Sequence, residues 1–248
     1  MNWEGISAIW QREILTFLRE KPRIISAAIN PIFWLITFGA GLGSTVAIAG
    51  INYQQFIFAG IIVQTLLFSS IFYGSYLVWD RRIDLLKAVL VTPLSRQSIF
   101  FGKVLSGVTF ALIQTAIILA FGFFIGINYT FASIGLVVLT VTFAAAALTA
   151  VGLTIGSLMT SPEGFQLITT FVIFPLFFLS GALFPLENLP AYLATLTAVN
   201  PVTYIVDALR GLLIGIQYFE VFENVLVLAG FALVANLIGI QAFKRMRS

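Results

Sequence analysis

The sequence contains no cysteine and no histidine, and only 9% of its 248 residues are charged. An ordinary soluble domain has roughly a quarter of its residues charged, so this chain has too few charges to cover a water-facing surface. The missing residue types exclude disulfides, cysteine-based metal sites, thiol or imidazole catalysis and Ser-His hydrolysis. We therefore expect neither catalytic residues nor a metal site.

The residues that are present point to a membrane. The hydrophobic share of 60% excludes a disordered chain, which needs low hydrophobicity and high net charge. The net charge of +3 is too small to indicate a nucleic-acid partner. An integral membrane protein is the class that fits both values.

Long uncharged stretches predict six membrane-spanning helices. Runs of 56, 59, 23 and 20 residues carry no charge. A helix needs about 20 apolar residues to cross a hydrocarbon core of about 30 Å, so each long run holds two spans and each short run holds one. The runs lack the period-2 alternation of barrel strands. We predict a single all-α transmembrane domain over residues 1–248, with 1–23 before the first span and spans at about 24–43, 56–79, 104–126, 134–158, 165–184 and 224–243.

The basic residues predict the orientation of these spans. Of the 13 Lys and Arg, twelve lie before the first span, between spans two and three, or after the sixth span. Only Arg210 falls on the opposite side of this arrangement. Because positive residues stay in the cytoplasm, we expect both termini there, with the first span as an uncleaved anchor.

The segment before the first span has the periodicity of a helix. Its apolar side chains recur every three or four positions and form one stripe: Trp3, Ile6, Trp10, Ile14 and Phe17. Glu13 and the other charged side chains occupy much of the remaining surface. Two tryptophans on the apolar face suit the lipid headgroup region. We expect an amphipathic helix on the membrane surface, with a helix packed against the bundle as the alternative.

A second short helix is predicted in the loop between spans two and three. Apolar residues lie there at helical spacing: Ile83, Leu86, Val89 and Leu90. Charged residues crowd its start: Asp80, Arg81, Arg82, Asp84 and Lys87. Pro93 is expected to end the helix, because residues before proline avoid the helical region. Periodicity alone fits a docking helix for a cytoplasmic partner and a plain positively charged cluster equally well.

The connection between spans five and six, residues 185–223, is long and largely apolar. It is a poor span, because Pro190, Asn200 and Pro201 interrupt it. One short helix is expected before Asn200 and a second from Pro201, where the missing N–H costs nothing. Two short helices with a break between them predict a re-entrant cap, partly embedded in the membrane. The alternative is a surface loop that rests on the bilayer.

Two kinds of chemistry are missing. A phosphate-binding loop needs the pattern G-x-x-x-x-G-K-[ST], and the pair Gly102-Lys103 has Gln97 and Val104 at the other two fixed positions. The chain is therefore not expected to hydrolyse ATP or to bind a cofactor. The six predicted spans also contain no charged residue, which weighs against proton-coupled transport, ion pumping and voltage sensing.

Three stretches carry a recognisable pattern. The first is Leu85-Leu86-Lys87 with Thr92-Pro93-Leu94-Ser95-Arg96 and Gly102-Lys103. The second is Ser180-Gly181-Ala182-Leu183-Phe184-Pro185 with Leu189-Pro190. The third is Asn200-Pro201-Val202-Thr203-Tyr204 with Arg210. Together with the six-span layout, they resemble the permease subunits of type 2 ABC exporters, in the daunorubicin-resistance and nodulation-export branch.

The resemblance implies a function and partners. The chain would be a non-catalytic permease of a bacterial-type inner membrane that moves an amphipathic drug, lipid or lipid-linked glycan outward. Two permease copies would pair, and two ATPase subunits carrying ATP and Mg would dock beneath them. The residues implied for coupling to the ATPase are Arg81, Arg82, Asp84, Leu86, Lys87, Leu90 and Pro93. Those implied for the external cap and gate are Pro185, Pro190, Asn200, Pro201, Tyr204, Asp207 and Arg210.

Two details of this interpretation stay open at the level of sequence. Asp207 and Arg210 lie three positions apart on one helical face and are expected to pair, or else to form an exposed ion pair of little energetic weight. The alternative functions are a channel or carrier that works without an ATPase, and a membrane scaffold that transports nothing. A channel or carrier would be expected to have polar or charged groups within its spans. A scaffold would be recognised only biochemically, by the absence of an ATPase partner.

Overall fold

A computed structural model describes residues 3–43, 47–48, 50–83 and 94–246 of the chain. The predicted docking helix between spans two and three lies outside the described residues. The coupling candidates on it are Asp84, Leu86, Lys87, Leu90 and Pro93. Arg81 and Arg82 are the coupling candidates that the structure does place.

Helices form nearly all of the described chain. They are α1 (Trp3–Arg19), α2 (Lys21–Trp34), α3 (Tyr53–Phe72), α4 (Ser75–Arg82), α5 (Arg96–Gly122), α6 (Phe131–Leu158), α7 (Pro162–Phe178), α8 (Ala191–Val199), α9 (Pro201–Ile214) and α10 (Val221–Arg245). A π-helical segment, Leu35–Ala40, and the turn Gly41–Gly43 extend α2, and a 3₁₀ turn, Phe123–Ile125, extends α5. Ala47–Ile48 pairs antiparallel with Ile51–Asn52.

The sequence marks the starts of five of these ten helices with capping side chains. A capping oxygen accepts a hydrogen bond from a backbone N–H two or three residues later at Asn52 (α3), Ser95 (α5), Thr130 (α6), Ser161 (α7) and Asn200 (α9). Such caps satisfy N–H groups that have no partner within the helix. Gly126 and Gly215 end the α5 extension and α9 with φ of 81° and 75°, a left-handed conformation that favours glycine.

Several of these helices have the length and composition of membrane spans. Within the described chain, the long ones are Tyr53–Arg82, Arg96–Ile125, Phe131–Leu158 and Val221–Arg245, and the shorter apolar ones are Ile29–Gly39 and Pro162–Phe178. The prediction of an all-helical membrane protein is therefore confirmed. The helix of predicted span 165–184 ends early, at Phe178, where Leu179 leaves the helical region while its N–H still bonds to the Pro175 carbonyl.

The α3 helix lies at the centre of the bundle, in contact with α5, α6, α7 and α9. Phe58 and Ile62 on it are completely buried. Tyr73 and Gly74 form a turn between α3 and α4. Gly74 lies so close to α6 that a Cβ atom there would overlap the Gly152 carbonyl. The long apolar stretch is therefore two helices joined by a tightly packed turn.

Candidate functional site

A buried ionic cluster joins α1, α4 and α5. Lys103 of α5 is 1% exposed and donates hydrogen bonds to Glu13 Oε1 at 2.9 Å and to Asp80 Oδ2 at 3.0 Å. A buried ammonium group is tolerated when charged partners replace its water shell. Lys103 therefore joins α1 to α4 and α5, the helices before and after segment 84–93 in the sequence.

Two more side chains complete this ionic cluster, which comprises Arg12, Glu13, Tyr73, Asp80 and Lys103. Arg12 Nη2 lies 3.5 Å from Asp80 Oδ2 and 3.7 Å from Glu13 Oε1. The Tyr73 hydroxyl donates to Glu13 Oε2 at 3.0 Å. Two carboxylates thus face two cations. Burial alone would raise the pKa of Glu13, but Lys103, together with Arg12 and Tyr73, outweighs that effect and holds the pKa below its ordinary value.

The predicted apolar stripe of α1 is confirmed at Ile6 and Phe17, but Glu13, expected among the charged side chains on the remaining surface, is buried as well, and the cluster was therefore not predicted. The buried face runs through Ile6, Ile9, Glu13 and Phe17. Trp3, which was predicted to share the apolar stripe, is 72% exposed. The four buried positions are three or four residues apart in the sequence, which is the spacing of one face of a helix. Glu13 falls on this otherwise apolar face, and a carboxylate at such a position indicates a buried cationic partner.

The outer face of α1 carries apolar side chains as well. Leu15 and Leu18 are each 54% exposed. Trp10 is half-buried and donates its indole N–H to Thr109 Oγ1 of α5 at 3.0 Å. The helix therefore packs along the bundle on one face and presents an apolar surface on the other.

Arg81, a predicted coupling residue, is used as a helix anchor. Its guanidinium donates to the carbonyl oxygens of Met159 at 2.6 Å and Ser157 at 3.1 Å, at the carboxyl end of α6. Those carbonyls have no partner within the helix, and a cation there also complements the helix dipole. Arg81 therefore fixes the end of α4, which precedes segment 84–93 in the sequence, to the end of α6.

Arg96 forms the matching anchor on the other side of the segment. Its Nη1 atom donates to the Met246 carbonyl at 2.6 Å and the Lys244 carbonyl at 3.0 Å, at the carboxyl end of α10. The helices α6 and α10 pack against each other. Segment 84–93 is thus flanked by two arginines, each bound to the end of one helix of this pair.

Arg82 differs from its neighbour in being accessible. Its side chain is 56% exposed and lies 3.7 Å from Glu163 Oε1, whose side chain is 77% exposed. The Arg82 guanidinium carbon also lies 5.4 Å from the ring centre of Trp79. An ion pair this exposed contributes little to stability, so this guanidinium is the more available of the two for another chain.

The predicted cap residue Asn200 binds the end of α7. Asn200 Nδ2 donates to the Leu176 carbonyl at 2.8 Å, while its Oδ1 accepts from Val202 N. The Tyr204 hydroxyl donates to the Ala198 carbonyl at 2.8 Å. Pro201 opens α9, and the Asn200 side chain therefore locks the break between α8 and α9 against α7.

Two prolines border the connection that leads into α8. Pro185 is half-buried and Pro190 is exposed. The Pro190 carbonyl accepts from Leu193 N at 2.9 Å and Ala194 N at 3.0 Å, which closes the first turn of α8. These contacts are local to the connection.

Asp207 and Arg210 do not form the expected ion pair, and neither is exposed. Asp207 is 2% exposed and accepts from Tyr218 N at 2.7 Å, Phe219 N at 3.1 Å and Asn224 Nδ2 at 2.9 Å. Arg210 is 4% exposed. Asp207 binds backbone and side-chain groups at the start of α10, whereas Arg210 binds a different part of the fold. Each has nearer partners than the other.

The partners of Arg210 lie on α3 and in the segment after α7. Its Nη2 atom donates to the Gly181 carbonyl at 2.8 Å. Its guanidinium carbon lies 3.9 Å from the ring centre of Phe56, a cation–π contact. Arg210 therefore binds the cap to the centre of the bundle.

A cavity of about 570 Å³ opens among α2, α3, α4, α5 and α7. Its lining combines uncharged polar side chains with aromatic rings, among them Asn30, Trp34, Gln64, Thr65, Phe68, Ser69, Tyr73, Gln114, Phe174 and Phe178. None of the lining residues carries a formal charge. The volume falls in the range of about 300–1,000 Å³ that is typical of small-molecule sites.

Two polar atoms in the cavity wall have no hydrogen-bond partner in the described part of the chain. They are Gln114 Oε1 and Ser69 Oγ. Gln114 is only 9% exposed, and a buried acceptor without a donor is costly. A water or a ligand hydroxyl beside either atom would give it a partner. Among the described residues, no group of three or more metal-ligating side chains comes together.

Comparison with known proteins gives consistent results. The family model described as "ABC-2 type transporter" matches residues 4–214. A putative transport permease, ycf38, from Cyanophora paradoxa is 33% identical over 78% of this chain and 69% of its own length. Nodulation protein J from Rhizobium leguminosarum bv. viciae is 27% identical over 99% of this chain and 95% of its own. The inner membrane transport permease YadH from Escherichia coli K12 is 29% identical over 100% and 97%.

Proposed function

We propose a mechanism from the premise that this chain belongs to the ABC-2 type transporter family. It is a transmembrane, non-catalytic permease subunit of such a transporter. On our proposal, the chain exports an amphipathic drug, lipid or lipid-linked glycan out of the cytoplasm or the inner leaflet. Energy comes from a separate ATPase subunit with ATP and Mg, because the chain lacks a phosphate-binding loop of its own.

The proposed membrane arrangement has six spans with both termini in the cytoplasm of a bacterial-type inner membrane. Helices α2 and α7 supply the two shorter spans, and the four long apolar stretches supply the others. The location of twelve of the 13 basic residues on one side of this arrangement supports the orientation. In it, α1 lies at the membrane interface, with its inner face on α5 and its outer apolar face among lipid headgroups.

The observation that carries the proposal is the pair of arginine anchors around segment 84–93. A segment that transmits force needs firm attachment at both ends, and Arg81 and Arg96 attach it to the ends of α6 and α10. We propose that the ATPase docks on residues 81–94. Direct contacts come from Arg82 and from Asp84, Leu86, Lys87, Leu90 and Pro93, while Arg81 holds the segment in place.

The cargo path is proposed to include the cavity beside α3. Its aromatic rings offer apolar contact, and its amide and hydroxyl groups offer hydrogen bonds. Because the lining carries no charge, the part of the cargo that enters it is expected to be uncharged. Two permease copies would form the path together, with one ATPase subunit beneath each.

The external end of the path is proposed to be gated by α8 and α9. Asn200 and Arg210 bind these helices to α7 and α3, so the cap moves when those helices move. Exposed apolar side chains on α8, such as Tyr192 and Val199, suit partial immersion in the membrane.

Purification of the tagged chain from its own host in a gentle detergent tests this function. We expect mass spectrometry to find a co-purifying subunit with a phosphate-binding loop, at one copy per permease. A homo-oligomer that carries no ATPase, even after crosslinking before lysis, would contradict the proposal. It would instead favour a channel, a carrier or a scaffold.

A further inference from the structure

Tyr73 is a residue at which the cavity and the ionic cluster meet. Its side chain lines the cavity, and its hydroxyl donates to Glu13 Oε2 at 3.0 Å. Tyr73 is 1% exposed, so protein atoms rather than solvent hold its ring. One side chain therefore belongs both to the proposed cargo site and to the cluster beside segment 84–93.

Besides its hydrogen bond to Glu13 of α1, Tyr73 reaches α1 through aromatic contacts. The Tyr73 ring centre lies 5.6 Å from that of Phe110 on α5, and Phe110 stacks on Phe17 of α1 at 4.3 Å. Packed interiors have few voids that would absorb a displaced side chain. This aromatic stack holds the Tyr73 ring in place, and a movement of the ring acts on α1 through the hydrogen bond of its hydroxyl to Glu13.

The backbone at Tyr73 also links the cavity to the ionic cluster. Tyr73 and Gly74 form the tightly packed turn between α3 and α4, and a turn with so little free space passes a movement of one helix to the other. On one side of the turn, α3 forms a wall of the cavity. On the other, α4 carries Asp80 of the ionic cluster and Arg81, the anchor on α6.

We infer that Tyr73 is a positioning residue that couples the shape of the cavity to the ionic cluster at the base of segment 84–93. The inference rests on the proposed function and specifies how that function is regulated. Nucleotide-driven movement of the segment reaches α4 and α1 and is passed by Tyr73 to the cavity wall. Cargo in the cavity biases the same equilibrium in return, since coupling between binding sites is reciprocal.

The substitution Tyr73→Phe tests the linkage, because it keeps the ring and removes the hydroxyl. The chain has no native cysteine, so Thr65→Cys places its single thiol in the cavity wall. In the complex with its ATPase, mass spectrometry follows modification of this thiol by a small methanethiosulfonate reagent. The rate is compared with and without ATP, Mg and vanadate.

With Tyr73 in place, we expect the nucleotide to change the modification rate by about 5-fold or more, the lower end of typical coupling between sites. In Tyr73→Phe, the change is expected to fall below about 2-fold, while the complex still assembles with its ATPase. Adding Glu13→Gln is expected to cause no further loss, because residues that act through one contact are not additive.

Tyr53→Phe is the matched control. Tyr53 lies at the other end of α3 and donates a hydrogen bond of the same 3.0 Å length, to the Leu183 carbonyl. The nucleotide response is expected to survive in this variant. A response that survives in Tyr73→Phe, or is lost equally in Tyr53→Phe, overturns the linkage and leaves the proposed function standing. Absence of any response with Tyr73 intact overturns both.

Discussion

Asp80 Oδ2 and Lys103 Nζ lie 3.0 Å apart, and their ion pair joins α4, which precedes segment 84–93 in the sequence, to α5, which follows it. Lys103 binds Glu13 of α1 with the same amino group. A single buried amino group therefore joins three helices. Substitutions in this cluster, at Arg81 and Arg82, and in the cavity wall test these roles.

Lys103→Met is expected to destabilise the fold strongly. The substitution leaves Glu13 and Asp80 buried with the partial neutralisation of Arg12 alone, and breaking a buried ion pair costs about 3–5 kcal/mol. The triple variant Glu13→Gln, Asp80→Asn, Lys103→Met is expected to lose less, because the one charge left in the cluster, on Arg12, is a third exposed and reaches water. Thermal unfolding of the purified chain in detergent measures both, with the exposed Lys244→Met as control. A single variant as stable as the control would contradict the role of the cluster.

The stability of the chain is expected to fall in acid through Glu13. The folded state holds the pKa of this carboxyl below its ordinary value of 4.5. The unfolded chain therefore binds the proton first as the pH drops, so the stabilisation is complete above that value and is lost as the pH falls through the folded-state pKa. The unfolding midpoint measured against pH is expected to fall less steeply in Glu13→Gln than in the native chain. Equal slopes below pH 4.5 would count against this assignment.

Substitutions of Arg81 and Arg82 are expected to have different effects: the first lowers stability, and the second lowers transport. Arg81→Gln removes the donor for two carbonyls at the end of α6 and is expected to lower stability by about 1–3 kcal/mol. Arg82→Glu is expected to leave stability within about 0.5 kcal/mol, as is usual for exposed positions, but to reduce ATP-dependent transport about 10-fold or more, through repulsion at the docking surface. The free energy of unfolding and the rate of ATP-dependent transport are measured for both variants. Transport loss in Arg82→Glu that merely follows a loss of folded protein would refute the separation.

Gln114→Leu is expected to affect transport but not folding. It removes a buried acceptor that has no donor among the described residues, so stability is expected to be unchanged or higher. If that oxygen receives a hydrogen bond from the cargo, transport is expected to fall about 10-fold, the equivalent of about 1.4 kcal/mol. Thr149→Val, which removes another unpartnered buried oxygen outside the cavity lining, is the control. Equal transport in both variants would exclude Gln114 from cargo binding.

The sequence predicts the helical membrane fold because uncharged runs of known length leave few alternatives. Capping residues such as Ser95 and Thr130 mark helix starts through local hydrogen bonds. The ionic cluster escapes prediction because Lys103 and Glu13 are 90 positions apart in sequence. Only tertiary packing brings them together.

The roles of the arginines show the same limit. Composition identifies Arg81 and Arg82 as a charged pair at the start of the loop, yet one of them lies over the end of α6 and the other faces outward. Neighbouring residues on a helix point in different directions, so their functions separate once the helix is placed. Asp207 and Arg210 diverge because each finds closer partners in different parts of the fold.

The most direct test of the account asks whether segment 84–93 meets an ATPase. Because the chain has no cysteine, Ala88→Cys provides one thiol within the segment, and Asn128→Cys provides one in the connection between α5 and α6. Each variant is treated in native membranes with a thiol-to-amine crosslinker, and the captured chains are identified by mass spectrometry. We expect Ala88→Cys to capture a chain with a phosphate-binding loop and Asn128→Cys to capture none. Capture of no such chain from position 88, or equal capture from both positions, would contradict it.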